Sequence, residues 1–216
     1  SQLTETKPFV DALDRVIVMI DDLKKLGIDL KHIDIGGGLG VCYKDETPPS
    51  VEEYANALKP ALQKLGLKVY MEPGRSISAN AGVLLTKVDL LKPTNHRNFA
   101  IIDAAMNDLI RPSLYEAWMD IQSVDANTDV NEKAWDVVGA ICETGDFLGK
   151  DRKLALKEND VLAVLGAGAY GFVMSSNYNS RGRAAEVMVN ADQAHLIRER
   201  ETIESLWDKE RLLPEE

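Results

Sequence analysis

The chain has 216 residues, 45% of them hydrophobic, and a net charge of −10 from 35 acidic against 25 basic side chains. This is enough for one large or two small domains with a sizeable core, and the acidic balance argues against nonspecific binding to nucleic acid or an anionic membrane. Cys42 and Cys142, the only cysteines, fit a reduced cytoplasmic protein better than a disulfide scaffold, and no apolar run approaches the roughly 18 residues of a membrane span or reads as a signal peptide.

The opening Ser1-Gln2-Leu3 lacks a methionine, as expected of a piece of a longer protein. Residues 6–27 read as an amphipathic helix. Pro8 suits its first turn, Phe9, Leu13, Val16, Ile17, Ile20, Leu23 and Leu26 recur at three- and four-residue spacing, and Gly27 is its stop. His32–Ile35 reads as a short strand that runs into Gly36-Gly37-Gly38-Leu39-Gly40. A second helix starts near Ser50, where Ser50 and Glu53 form a capping-box pattern, and closes at Gly66. Pro60 is expected to kink or split it. Leu67–Met71 is the next strand, ending in Glu72-Pro73-Gly74-Arg75. Helix, strand, helix, strand implies parallel strands with helical crossovers.

The pattern then changes. Strands are expected over 83–91, 99–103, 135–142, 161–165, 186–190 and 195–198, punctuated by Gly, Pro and Asn, and a short helix over Thr202–Leu213 with Ile203, Leu206 and Trp207 on its buried face. This half reads as mainly antiparallel β, with a domain boundary near residue 82.

Several stretches carry groups with chemical uses. Gly36-Gly37-Gly38 after a strand is either a phosphate cradle or a plain tight exit. It is not a dinucleotide fingerprint, since position 41 is Val41, and it is not a P-loop. Glu72 and Arg75 also sit at a strand's carboxyl end, the ligand-binding face of parallel sheets and barrels, but would serve equally as a surface ion pair. Arg111-Pro112-Ser113-Leu114-Tyr115 opens a short helix. Arg111 and Tyr115, four apart, are either a carboxylate clamp or a solvated Arg beside a half-buried Tyr. Ala140–Asp146 reads as an apolar strand ending in Cys142, Glu143 and Asp146, with Cys142 either chemically active or buried. Gly166–Gly171 is a small-residue turn carrying Tyr170, fit for packing or for a second phosphate contact. His32, His96 and His195 lack ligand spacing, so no metal site is expected. No G-x-S-x-G elbow is present.

Together, Ile35–Gly40, Glu72–Arg75, Arg111–Ala117, Cys142–Asp146 and Gly168–Gly171, extended by Met174–Asn179 and Ala184–Val187, resemble the pyridoxal-phosphate-dependent diaminopimelate decarboxylases, in the family's order and across nearly the whole chain. The resemblance implies an α/β plus β fold: residues 1–81 as the last part of a (β/α)8 barrel, and residues 82–216 as a mainly antiparallel β-barrel domain. The lysine that binds the cofactor covalently and the histidine that stacks on it belong to the family's amino-terminal half, and neither motif occurs here.

By the same resemblance, Ser1, Gly36, Gly37, Gly38 and Tyr170 hold the phosphate of pyridoxal 5′-phosphate, and Gly74 is a further cofactor-binding position. Glu72 faces the pyridine nitrogen. Arg75 lies near the phosphate and reaches a substrate carboxylate. Arg111, Tyr115 and Tyr170 line the substrate's site, Glu143 pairs with the distal ammonium, and Cys142 is the general acid that protonates the α-carbon. The implied reaction is decarboxylation of meso-diaminopimelate to L-lysine, the last step of lysine biosynthesis, in a cytoplasmic homodimer whose Cys142–Glu143 loop enters the neighbouring subunit's site. Ornithine, arginine and carboxynorspermidine decarboxylases, or a non-catalytic binding relative, are the alternatives. Glu143 in place of an aspartate, and Arg111 with Tyr115 for a second carboxylate, favour diaminopimelate.

Overall fold

The computed structural model describes residues 2–125 and 129–214. The chain divides into two compact units, Ser1–Ala81 and Gly82–Glu216.

The first unit alternates helix and strand. It contains α1 (Lys7–Lys25), β1 (His32–Asp34), α2 (Val51–Leu65), β2 (Lys68–Tyr70) and the single turn α3 (Arg75–Ser78). Pro8 sits in the first turn of α1, where a helix has no use for its N–H. At the other end Gly27, at φ +81°, and Ile28 return their N–H groups to the carbonyls of Lys24 and Leu23. This is the paired closure that a left-handed glycine permits. The stripe buries Phe9 and Leu13 against Ile33, Tyr54 and Leu58, with the Phe9 and Tyr54 rings edge to face at 4.9 Å. Leu26, expected on that stripe, is 77% exposed because the helix has already closed there.

At α2 the Ser50 hydroxyl accepts the Glu53 N–H at 3.1 Å, and the Glu53 carboxylate accepts the Ser50 N–H at 2.7 Å. The Ser50 N–H, and then the Ser50 side chain, hold the Glu53 carboxyl below its usual range. Gly66 ends the helix at φ +66°. Pro60 does not split it: Val51–Leu65 is one element. The proline lies on the exposed side, and the buried Tyr54 and Leu58 together with the capping box hold the helix through the missing bond. β1 and β2 pair in parallel, Ile33 opposite Val69, as in the carboxy-terminal part of a (β/α)8 barrel. An open apolar groove of about 490 Å³ runs along α2 and β2 past Leu58, Leu62, Val69 and Met71, and none of the candidate site residues lines it.

The second unit is a six-stranded mixed sheet in the order β5-β8-β3-β4-β6-β7. Its strands are β3 (Leu84–Pro93), β4 (Asn98–Ile102), β5 (Ile121–Ser123), β6 (Lys133–Val138), β7 (Phe147–Leu154) and β8 (Val161–Val164). Every pairing is antiparallel except β4 with β6. β3 pairs with β8 along one half and with β4 along the other, with a register shift between Val88 and Leu90. A bulged, bent strand of this kind curls a sheet, and β5 and β7 approach each other to bring it near closure. Val88, Ala100, Ile102, Val137, Leu148, Leu162 and Val164 fill the interior. The helix α4 (Arg111–Tyr115) lies between β4 and β5 in the chain.

β9 (Glu186–Asn190) and β10 (Gln193–Arg198) form a separate antiparallel ribbon. Val187, Met188, Val189, Leu196 and Ile197 are all more than half exposed, so both of its faces are open.

Three expectations are corrected. The strand expected to reach Cys142 is β6, which stops at Val138. β5 and β7 are strands where none was expected. The terminal helix over Thr202–Leu213 is only a 3-10 turn, Glu204–Leu206. Ile203 and Trp207 are about half exposed, so its apolar stripe is only partly covered.

Pro60→Ala restores an N–H inside α2 and removes a steric conflict with the preceding turn. It is expected to raise stability by about 1–3 kcal/mol, measured by denaturant unfolding of the protein. A loss of stability would show that the proline is part of the native packing.

Candidate active site

Two sets of candidate residues lie at strand ends and loops, one in each unit. In the first unit the parallel pairing carries the exits of β1 and β2 side by side. Ile35 donates its N–H to the Tyr70 carbonyl at 3.1 Å, and Glu72 donates its N–H to the Gly36 carbonyl at 2.9 Å. The pairing therefore continues past both strands and brings Gly36–Gly38 beside Glu72. Gly37 must be glycine here: a Cβ would stand 2.2 Å from the Glu72 carbonyl oxygen. The Gly36 N–H is taken by the Asp34 carboxylate at 2.8 Å. Among the described residues, no hydrogen bond from the Gly37 or Gly38 N–H is found.

The chain's beginning is stitched to the same loop. Leu3 bridges Leu39 in parallel, and the Gln2 amide both donates to the Val41 carbonyl and accepts its N–H. Ser1 lies outside the described residues.

Glu72 is exposed, as is Gly74, which caps α3. Arg75 donates from Nη1 to the Tyr43 hydroxyl at 2.7 Å, with its guanidinium 5.7 Å from that ring's centre. Tyr43 is held by its own loop, because the Glu46 carboxylate accepts the N–H groups of Tyr43 and Lys44. Those bonds keep the Glu46 carboxyl below its usual range, the Lys44 N–H contributing most.

In the second unit Cys142 lies exposed in the loop between β6 and β7. The Glu143 carboxylate accepts the Gly145 N–H at 3.3 Å on one oxygen and the Tyr178 hydroxyl at 3.3 Å on the other. Tyr178 is anchored in turn. The Asn177 amide donates to the Glu201 carboxylate at 2.6 Å, which also accepts the Arg183 N–H. The Arg183 bond and then the Asn177 bond hold the Glu201 carboxyl below its usual range. Arg181 ties the same segment to the buried Asn107 at 3.0 Å.

Asp146 faces away from this cluster. It is 5% exposed, with Oδ1 accepting the Met106 N–H at 2.7 Å and Oδ2 accepting the Ile141 N–H at 2.7 Å. Gly139 makes room for it, since a Cβ there would come within 2.4 Å of the carboxylate.

Arg111 and Tyr115 do not leave α4 alike. Arg111 is buried with Nη1 3.2 Å from the Met119 sulfur, whereas Tyr115 is 62% exposed. Between them Ser113 donates to the Gly145 carbonyl at 2.5 Å, tying α4 to the Cys142 loop. Tyr170 sits at φ +59°, a strained position for a bulky side chain, and is 37% exposed.

Reading the sequence assigns no role to Tyr43, Ser113 or Tyr178. Their contacts span 32 to 35 residues of chain, which no local pattern announces.

A family model described as "Pyridoxal-dependent decarboxylase, C-terminal sheet domain" matches residues 12–168. The diaminopimelate decarboxylase of Pseudomonas aeruginosa is 59% identical over 215 residues, which is all of this chain and 52% of that protein. The crystal structure of diaminopimelate decarboxylase from M. jannaschii in co-complex with L-lysine superposes with a TM-score of 0.94 at 38% identity, over 99% of this chain and 50% of that one. The Helicobacter pylori enzyme complexed with L-lysine gives a TM-score of 0.90 at 41% identity, over 96% and 52%. The chain thus spans about half the length of the relatives it matches, aligned with their carboxy-terminal half.

Gly37→Ala is expected to force the two strand exits apart and cost about 1–3 kcal/mol, the range for overpacking, read as a lowered melting temperature. Gly74→Ala, where nothing lies within 4 Å, is the near-neutral control. Equal melting temperatures for the two variants would show that the exits separate freely.

Proposed function

This chain belongs to the pyridoxal-dependent decarboxylase family, and we propose that it serves as the carboxy-terminal half of a diaminopimelate decarboxylase that forms L-lysine. The observation that carries this reading is the Gly37–Glu72 contact. It sets two N–H donors beside the backbone of an acidic residue at the exits of parallel strands. The 59% identity to a diaminopimelate decarboxylase over the whole chain supports the choice of substrate.

These residues fit pyridoxal 5′-phosphate. Gly37 leaves no side chain over the cradle, and the Gly37 and Gly38 N–H groups are suited to a phosphate oxygen. An acidic group opposite a pyridine nitrogen keeps that nitrogen protonated. When bound, the cofactor supplies the electron-accepting ring that stabilises the charge left as CO2 departs.

This chain's residues do the rest. Gly36–Gly38 and Ser1 hold the phosphate, Gly74 is a further cofactor-binding position, and Glu72 holds the ring proton. Arg75, oriented by Tyr43, reaches a substrate carboxylate. Arg111 and Tyr115 bind the distal carboxylate, and Tyr170 lines the same site. Glu143, its carboxylate already oriented by Tyr178 and Gly145, takes the distal ammonium. Cys142 delivers the proton to the α-carbon from an exposed loop, and that loop serves the neighbouring subunit of a homodimer. The barrel part is residues 1–81 and the β-domain 82–216. The lysine that binds the cofactor belongs to the amino-terminal half.

The full-length enzyme with added cofactor is expected to release CO2 from meso-diaminopimelate and to yield L-lysine; a preference for ornithine or arginine would overturn the substrate assignment. Cys142→Ala is expected to lower kcat by about 10²–10⁴ while leaving cofactor binding intact. Loss of cofactor instead would make Cys142 structural. Glu143→Gln removes a charge-assisted partner and is expected to raise KM roughly tenfold or more. An unchanged KM would remove Glu143 from the ammonium site.

A further inference from the structure

Asp146 and Ser113 have no part in the chemistry above, yet they join its two substrate-facing segments. The Asp146 carboxylate is buried, and among the described residues no cation pairs with it. Its two oxygens reach different pieces of chain. Oδ1 accepts from Met106, in the segment leading to α4, and Oδ2 accepts from Ile141, immediately before Cys142. Ser113, on α4 between Arg111 and Tyr115, donates to the Gly145 carbonyl on the far side of Cys142 and Glu143. The loop is therefore fastened to the α4 segment at Gly145 and Asp146, just past the residues it presents, and the Ile141 bond to Asp146 closes its other side onto the same anchor. A buried carboxyl group is costly unless its oxygens are hydrogen-bonded, and both oxygens of Asp146 are used.

We propose that Asp146 and Ser113 are positioning residues that hold the Cys142–Glu143 loop in fixed register with the segment carrying Arg111 and Tyr115. The loop then presents Cys142 and Glu143 in a single conformation to the site that it serves. The inference rests on the functional reading above for what Cys142 and Glu143 do, but the fastening itself is read from the contacts.

The test uses the full-length, cofactor-loaded enzyme carrying Ser113→Ala, Ser113→Thr or Asp146→Asn. An asparagine keeps one acceptor and turns an N–H toward the other donor. Ser113→Ala and Asp146→Asn are expected to lower kcat roughly ten- to a hundredfold, the cost of a misplaced catalytic group, with cofactor absorbance unchanged. Ser113→Thr, which keeps the hydroxyl, is expected to retain wild-type kcat. In the same samples, iodoacetamide labelling of Cys142 relative to Cys42, read by peptide mass spectrometry, is expected to rise about threefold or more as the loop opens. An unchanged labelling ratio overturns the proposal, and so does a raised ratio with undiminished kcat. Should Asp146→Asn fail to fold, Ser113→Ala against Ser113→Thr decides alone. A wild-type enzyme without decarboxylase activity would sink the functional reading instead, and the labelling ratio would still decide whether these residues hold the loop.

Discussion

The second unit's Cys142–Glu143 loop depends on a buried carboxylate that no cation pairs with among the described residues. Asp146 can remain there only because backbone N–H groups from two separate segments converge on it. That requirement sets local features on every side. Just past the end of β6 at Val138, Gly139 leaves its side-chain space to the carboxylate. The chain must then turn through Ile141 to present its N–H, which puts Cys142 and Glu143 on the open side. Met106 must come close, and it brings with it the start of α4.

The first unit solves a related problem with backbone alone. Two parallel strands have evenly spaced bonds, so their exits stay in step, and the last bond of the ladder is the Glu72 N–H to the Gly36 carbonyl. The glycine loop and the acid are neighbours because of strand register rather than any bond between their side chains. Tyr43 adds the side-chain support that register cannot supply, by reaching Arg75 from a loop folded around Glu46.

What could be read from the sequence divides along this line. α1, α2 and their caps were legible because each signal is local: Pro8, the Ser50–Glu53 box, Gly27 and Gly66 act within a few residues of themselves. The alternation into β1 and β2 followed from them. β7 was not legible because its inward side does not read as apolar. Arg152 is buried there with its guanidinium 3.2 Å from the centre of the Trp118 ring, and burial lowers its pKa. The strand expected to carry Cys142 was too long because the sequence does not reveal that Asp146 folds back on Gly139. The terminal helix failed for the opposite reason: Ile203 and Trp207 have helical spacing, but about half of each stays exposed. Among the site residues, Cys142, Glu143 and Glu72 announce themselves as reactive groups at segment ends, whereas Ser113, Tyr178 and Tyr43 act on partners far away in the chain.

The β9–β10 ribbon has a colloidal consequence. Among the described residues no further strand pairs with its outer edges, and valine, leucine, isoleucine and methionine side chains stand on both of its faces. An uncovered edge of this composition is a template for another strand. What opposes such pairing in dilute buffer is the net charge of −10, which keeps copies apart. Salt shortens the range of that repulsion without touching the apolar surface. Wherever the ribbon is left uncovered, ionic strength therefore governs how readily these chains find one another.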